Sequence, residues 1–203
     1  MPDHNDRRAA SLNPSTLPTA QHLPARPDED DRDDLVFEWG DQTTEEPPVT
    51  ALMLGDRRGI LGALHERCSR GPAGSASALL VSVDGLAPLG RERGQTIATR
   101  VRDEAYTRVA ARVRNATAAG LIDEEMLLVL FEDRPAQEAA DSFEALRDDA
   151  GRIQLGESRF AVGFSAAVTE IREDDLPEAI VGRLCRALQR VMMGGGAAIE
   201  HAP

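Results

Sequence analysis

Apolar residues recur at helical spacing in four segments of the chain downstream of about Val49. These segments cover residues 54–68, 97–116, 136–151 and 177–192, and we predict a helix in each. The second is a long amphipathic helix, and Gly151 closes the third. Their inward-facing positions include Leu54, Ile60, Leu61 and Leu64 in the first helix, Val101, Ala105, Val109 and Val113 in the second, and Ile180, Leu184 and Leu188 in the last.

Short apolar runs between these segments predict strands. ALLVSVDG (Ala78–Gly85) is typical of a buried strand that enters a turn. GLID followed by EEMLLVLF predicts two strands joined by a tight acidic turn, and residues 152–169 predict a second hairpin with Gly156 in its turn. AAIEH (197–201) is consistent with a short edge strand. This order predicts an α+β domain in which helices cover a mainly antiparallel sheet.

Residues 1–48 have a different composition, rich in Pro, Asp, Ser, Thr and Arg and poor in aliphatic side chains. Such a segment cannot bury enough apolar area to offset its ordering entropy, so we predict a disordered tail ahead of a domain at 49–203. One apolar island interrupts the tail, formed by Leu35, Val36, Phe37 and Trp39. Two interpretations stay open: the island docks on a partner, or it packs on its own domain.

The net charge of −12 is concentrated in the tail. Residues 1–48 carry twelve acids and four arginines, against 23 acids and 19 arginines in the rest of the chain. An acidic chain repels polyanions, which argues against nucleic acid and membrane surfaces as partners. Because the chain contains no lysine, any phosphate would be held by arginine or by backbone N–H groups.

Two cysteines, Cys68 and Cys185, lie far apart and lack neighbours at metal-ligand spacing, which favours a reduced protein. No apolar run reaches the ~20 residues that a membrane-spanning helix needs. Acids stand near the N-terminus in place of a signal peptide. These features predict a cytoplasmic protein.

The stretch LIDEEMLLVLF (121–131) places Asp123, Glu124 and Glu125 directly before a buried strand. Carboxylates in that position either hold a metal ion or close a solvated turn. The four histidines have no cysteine or carboxylate at ligand spacing, and they are not candidate ligands.

Several landmarks, in the same order, resemble the GGDEF (diguanylate cyclase) family across nearly all of 49–201. LGDRRGIL resembles the family's Leu-Pro-Asn-Arg-Arg helix start, and ALLVSVDGL resembles the first strand, Leu-Leu-Asp-Leu-Asp-Gly-Phe. DEAYTRVAARVR is similar to Asp-Glu-Leu-Leu-x-x-Val-Ala-x-x-Leu-Arg, and IDEEMLLVLF takes the place of the Gly-Gly-Asp-Glu-Phe hairpin. FAVGFSAAV and RALQRVMMGG match later motifs. The resemblance implies a nucleotidyl-cyclase, ferredoxin-like fold.

The family makes cyclic di-GMP from two GTP with Mg²⁺, and this chain departs from its pattern at the residues that do so. The first metal-binding aspartate falls on Ser82, and the two turn glycines fall on Ile122 and Asp123. The second metal acid is kept as Glu124, with Glu125 beside it. A branched side chain and an added negative charge would crowd an anionic phosphate.

The nucleotide-contacting positions are also altered. The guanine-reading asparagine falls on Gly90 and the late phosphate-contacting lysine on Met192, whereas Asp103 keeps an aspartate that contacts the base. At the product-inhibition site, Arg-x-x-Asp, Arg114 remains and the aspartate position is Thr117. We therefore expect weak or no cyclic di-GMP binding, and we interpret the acidic turn as a solvated remnant.

The resulting hypothesis is a catalytically inactive GGDEF-like domain that acts as a regulatory, protein-interacting module in bacterial signalling. It would need no cofactor, with Mg²⁺ only if the remnant site functions. The alternatives are a non-catalytic receptor for GTP or cyclic di-GMP that uses Asp103, Arg114 and Glu124, and an active cyclase with substituted ligands. Pairing of two copies is left open.

Overall fold

The computed structural model describes residues 52, 54–71 and 74–203. The predictions for residues 1–48, including the island at 35–39, lie outside the described residues. The described part contains a six-stranded sheet and a separate two-stranded hairpin. The strands are β1 (Leu54–Gly55), β2 (Ser77–Val83), β3 (Ala116–Leu121), β4 (Met126–Phe131), β5 (Arg152–Leu155), β6 (Ser158–Ala161), β7 (Phe164–Glu170) and β8 (Ile199–His201). The helices are α1 (Arg57–Ser69), α2 (Leu86–Arg93), α3 (Gln95–Arg112), α4 (Ala136–Ala150) and α5 (Pro177–Met193).

The large sheet has the strand order β1-β3-β4-β2-β7-β8, with β5 and β6 forming the hairpin apart from it. The central pairs, β3–β4, β4–β2 and β2–β7, are antiparallel, and only the short edge strands β1 and β8 pair in parallel. The prediction of a mainly antiparallel sheet is confirmed. In β2 every residue is buried because the strand is central and both of its faces are covered.

Alternate residues of the strands face two separate cores. Leu79 and Val81 of β2 face the core beneath α3 and α4, which we call the first face. Ala78 and Leu80 face the core beneath α1 and α5, the second face. Ser82 follows in the same alternation and therefore lies on the second face.

Local signals explain where two of the helices begin. Asp56 caps α1, since its Oδ1 accepts a hydrogen bond from Gly59 N at 2.8 Å. Pro177 opens α5, where a missing N–H costs nothing. No helix among the described residues is both long and apolar enough to cross a bilayer.

The predicted strand at 78–85, the acidic hairpin, the helix at 136–151, the last helix and the edge strand are all present. Four details differ. Leu54 lies in β1, not in the first helix. The long helix ends at Arg112, so that Ala116 already belongs to β3. Residues 152–169 form the β5–β6 hairpin plus β7, which joins the large sheet. The helix α2 was not predicted at all.

Candidate functional site

The acidic turn between β3 and β4 closes on itself. Ile122 N donates to the Met126 carbonyl oxygen at 3.0 Å, and Glu125 N donates to Asp123 Oδ1 at 2.7 Å. Asp123, Glu124 and Glu125 are all exposed. One of the three carboxylates is thus used to shape the turn, in the manner of an Asx turn.

The backbone of this turn is held from inside the domain by Tyr106 of α3. The Tyr106 hydroxyl donates to the carbonyl oxygen of Glu125 and also lies 3.5 Å from that of Val81 in β2. Tyr106 is fully buried, and burial raises the pKa of its hydroxyl far above the ordinary value. The apolar pattern of α3 does not reveal the contact between Tyr106 and Glu125, because Tyr106 occupies an ordinary apolar position in that pattern.

Ile122 and Asp123, at the positions of the family's two glycines, point in different directions. Ile122 is only 6% exposed and packs in the second-face core, whereas Asp123 is exposed. The branched side chain is therefore part of the hydrophobic core, where a glycine would leave a gap. Whether the pair obstructs a phosphate stays a prediction.

Ser82 is buried near the end of β2, between Met126 of β4 and Ser165 of β7 in the register of the sheet. Two residues later, Asp84 accepts hydrogen bonds from Ser165 Oγ at 2.8 Å and from Ala197 N at 3.0 Å. The Asp84 carboxylate fastens the segment that leads into β8. Local sequence predicts only a turn at Asp84, since its hydrogen-bond partners are 81 and 113 residues away.

These residues do not fit a magnesium site. Mg²⁺ requires hard oxygen ligands in near-octahedral geometry, usually with one or two carboxylates. Ser82 offers a neutral hydroxyl, both Asp84 oxygens already accept hydrogen bonds, and Glu124 is exposed on the turn. Within residues 52, 54–71 and 74–203, no group of three or more His, Cys, Asp or Glu side chains is arranged to hold a metal ion.

The proposed nucleotide residues do not form a single pocket. Asp103 is exposed on α3 and accepts two hydrogen bonds from its neighbour Arg102, at 3.0 and 2.8 Å. Arg112, near Arg114, lies nine residues further along the helix, which corresponds to about 14 Å. Met192, at the lysine position, is 52% exposed at the end of α5. Asp103 and Arg114 therefore belong to different surfaces.

Arg114 lines a cleft of about 640 Å³ at the end of α3, beside α4. Arg112 is in the same cleft and forms an ion pair with Asp149. Thr117, at the family's aspartate position, donates through Oγ1 to the Leu130 carbonyl oxygen at 3.3 Å. The cleft is bordered by two guanidinium groups, which can hold an anion, and by the Asp149 carboxylate, which already pairs with Arg112. Its lining consists of Ala111, Arg112, Arg114, Ser142, Ala145, Leu146 and Asp149.

A second cleft, of about 660 Å³, lies between α1 and α5 against the acidic turn. Its size is within the usual range for ligand sites. This cleft was not predicted, although glycines inside two predicted helices are a signal for such a space. The lining consists of Arg57, Leu61, Gly62, His65, Ile122, Asp123, Met126, Pro177, Glu178, Val181, Gly182 and Cys185.

Comparison with known proteins shows the fold. No family model and no curated protein matches the chain. Among solved structures, the chain is similar to the diguanylate cyclase SiaD of Pseudomonas aeruginosa, in complex with its activator SiaC, at 23% identity and a TM-score of 0.67 over 76% of this chain. It spans 62% of the length of that SiaD chain.

Two further structures are GGDEF-type domains at similar distance. The GGDEF domain of DgcB from Caulobacter crescentus, in complex with c-di-GMP, is 17% identical, with a TM-score of 0.66 over 75% of this chain and 90% of that one. The active GGEEF domain of a diguanylate cyclase from Vibrio cholerae is 16% identical, with a TM-score of 0.64 over 74% and 99% of the two chains. The GGDEF fold implied by the sequence resemblance is confirmed.

Proposed function

We propose that this chain is a catalytically inactive GGDEF-fold module that regulates bacterial cyclic di-GMP signalling by binding a protein partner. The main support is the end of β2. A neutral hydroxyl stands at the metal position, Ser82, and the carboxylate two residues later, Asp84, holds the C-terminal segment through Ser165 and Ala197. Ser82 removes one of the two carboxylates that would hold Mg²⁺, and this weakens the site from which the ion would assist phosphoryl transfer.

A protein partner has precedent in the similar structures, since SiaD was solved with its activator SiaC. The intact sheet and two filled cores show that the fold is retained even though the ligand positions differ. A retained fold with lost catalytic groups favours a role for the surface. The candidate docking island at 35–39 remains part of this proposal.

The test is turnover of GTP by the full chain with Mg²⁺ or Mn²⁺, with product measured by chromatography and an active cyclase as the positive control. We expect no cyclic di-GMP above a sample without protein. Ser82→Asp should also remain inactive, because it restores one ligand and leaves the turn unchanged. Synthesis of cyclic di-GMP by the natural chain would refute the proposal.

One observation favours a second candidate, a non-catalytic receptor for a guanine nucleotide or cyclic di-GMP. Arg112 and Arg114 border the same cleft, and two guanidinium groups can bind phosphate. The separation of Asp103 from Arg114 restricts this alternative to the α3–α4 cleft. Calorimetry with GTP, GDP and cyclic di-GMP would decide. If the receptor exists, Arg114→Ala should abolish the heat signal while Arg100→Ala, an exposed arginine elsewhere on α3, should not.

A further inference from the structure

The cleft between α1 and α5 is elongated and has an apolar floor. Ile122 and Met126 form its floor, while Leu61 of α1 and Val181 of α5 stand on opposite walls. Along α1 the lining runs from Arg57 to His65, eight residues or about 12 Å. Along α5 it extends from Glu178 to Cys185, about 10 Å. An occupant that covers this length would span at least two helical turns.

Two glycines widen the cleft from opposite sides. A Cβ added to Gly62 of α1 would meet no atom within 4 Å, and one added to Gly182 of α5 would meet only Arg186 Nη1, at 3.4 Å. Neither residue has a positive φ that would require glycine. A glycine inside a helix costs about 1 kcal/mol relative to alanine. Contacts within the described chain do not explain this cost, but an occupant of the cleft would.

The two walls carry opposite charge. Arg57 is on α1 and Glu178 is on α5, whereas Asp123 of the adjoining turn lies toward Cys185 and not beside Glu178. Among the described residues, the Arg57 and Glu178 side chains have no hydrogen bond or ion pair. An occupant with an acidic edge toward α1 and a basic edge toward α5 would complement both walls.

We propose that this cleft is a docking groove for an amphipathic helix of a protein partner. Apolar residues of the partner, spaced at i, i+3 or i+4, and i+7, contact Ile122 and Met126. An acidic residue of the partner meets Arg57, and a basic residue meets Glu178. This inference rests on the proposed function and deepens it, because it names the surface used and the chemistry of the partner.

The test begins with a photo-reactive residue placed at Gly62 of the full chain in its native cell, where the space for it is open. Matched positions are Gln189, exposed on α5 and absent from the lining, and Met193, which is 81% exposed at the end of α5. The cross-linked segment is identified by mass spectrometry, synthesised, and titrated against the protein. Capture alone is not support; the affinities of the following variants decide.

We expect Arg57→Glu to weaken binding of the synthetic segment by at least about tenfold, or 1.4 kcal/mol. Reversing the acidic residue of the segment to arginine should restore it. Gly62→Leu should fill the groove and abolish binding while the circular dichroism spectrum stays unchanged, and Gln189→Leu should bind normally.

Four outcomes would overturn the groove as a site for a partner helix. They are a small molecule captured at Gly62, a cross-link to this chain's own residues or to a second copy, a segment without an apolar face, and affinity unaffected by both Arg57→Glu and Gly62→Leu. Capture of a protein from Met193 but none from Gly62 would refute the groove and leave the proposed interaction function intact. No protein captured from any position would count against both, and cyclic di-GMP synthesis would refute the proposed function alone.

Discussion

The two faces of the sheet are built differently. The first face buries Tyr106, Phe131, Phe143 and Phe164 beneath α3 and α4, and the rings of Phe143 and Phe164 meet edge to face with centroids 5.9 Å apart. The buried apolar residues of the second face, within the described chain, are aliphatic only, and a cleft of about 660 Å³ separates its two helices. Large rings fill the first face, whereas glycines and small side chains keep part of the second open.

This difference indicates that the two faces of the sheet have different roles in the domain. Each buried ring of the first face removes a large apolar area from water and contributes strongly to stability. The second face retains helix-interior glycines and an uncovered apolar floor, which cost stability that the first face offsets. Six substitutions, in four experiments, test the stability of the two faces and of the segments beside them.

The largest change in the free energy of unfolding is expected from a substitution on the first face. Phe143→Ala removes a fully buried ring and its partner contact with Phe164, and it should lower the free energy of unfolding by about 3–5 kcal/mol. Leu61→Ala, on the cleft wall, should cost only about 1 kcal/mol because that side chain is already partly exposed. Urea unfolding measures both. Equal losses would contradict the contrast between the faces.

The second effect concerns the loop that leads into α5. Arg183 donates through Nη1 to Asp175 Oδ1 and through Nη2 to Asp175 Oδ2, each at 2.6 Å. The Arg183 side chain is 15% exposed and that of Asp175 is 11% exposed. Asp175→Asn should cost about 2 kcal/mol, since a charged hydrogen bond is lost and Arg183 keeps no acidic partner there. The hydrogen bonds from Arg183 hold the pKa of the Asp175 carboxyl below its ordinary value of 3.8.

The sign of the pH dependence follows from that depressed pKa. The Asp175 carboxyl binds a proton less tightly in the folded chain than in the unfolded chain. The stabilisation by Asp175 is therefore complete above about pH 4 and declines as the pH falls through the folded pKa. The difference between the natural chain and Asp175→Asn should be constant from about pH 5 to 8 and shrink below about pH 4. A difference that shrinks between pH 5 and 8 would argue against this ion pair as the cause.

A smaller effect is expected where the first face supports the acidic turn. Tyr106→Phe keeps the ring but removes the donor to the Glu125 carbonyl oxygen, and it should cost about 1 kcal/mol. Amide hydrogen exchange at residues 123–126 should become faster, while that of α4 stays the same. Unchanged exchange in the turn would show that Tyr106 does not hold it.

The smallest expected change in the free energy of unfolding is a stabilisation. Gly62→Ala should raise the free energy of unfolding by about 0.5–1 kcal/mol, because alanine favours the helix and nothing lies within 4 Å of the new Cβ. Gly120→Ala is the contrasting change, since its Cβ would lie 2.8 Å from Ile60 Cβ and should destabilise. Thermal unfolding measures both. A loss of stability in Gly62→Ala would mean that the cleft is not open space.

Sequence patterns were reliable where a periodic apolar face coincided with a whole element, as in β2, α4 and α5. The patterns did not predict α2, because Pro88 and Gly90 are residue types typical of loops. Pro88 is the third residue of that helix, where its missing N–H would have had no acceptor within the helix. They failed also at Leu54, since a two-residue strand exists only through its pairing with β3.

For the site, the chain itself dictates the chemistry of each position: a hydroxyl at Ser82, a branched side chain at Ile122, three acids at the turn. These are covalent identities, and their spacing along β2, β3 and β4 follows from local periodicity. The partners of Asp84 and the contact of Tyr106 with Glu125 depend on residues 19 to 113 positions apart. The cleft between α1 and α5 depends on helices from the two ends of the described domain. Only packing brings such residues together, because hydrophobic burial selects the arrangement of whole elements and side chains at their ends meet as a consequence.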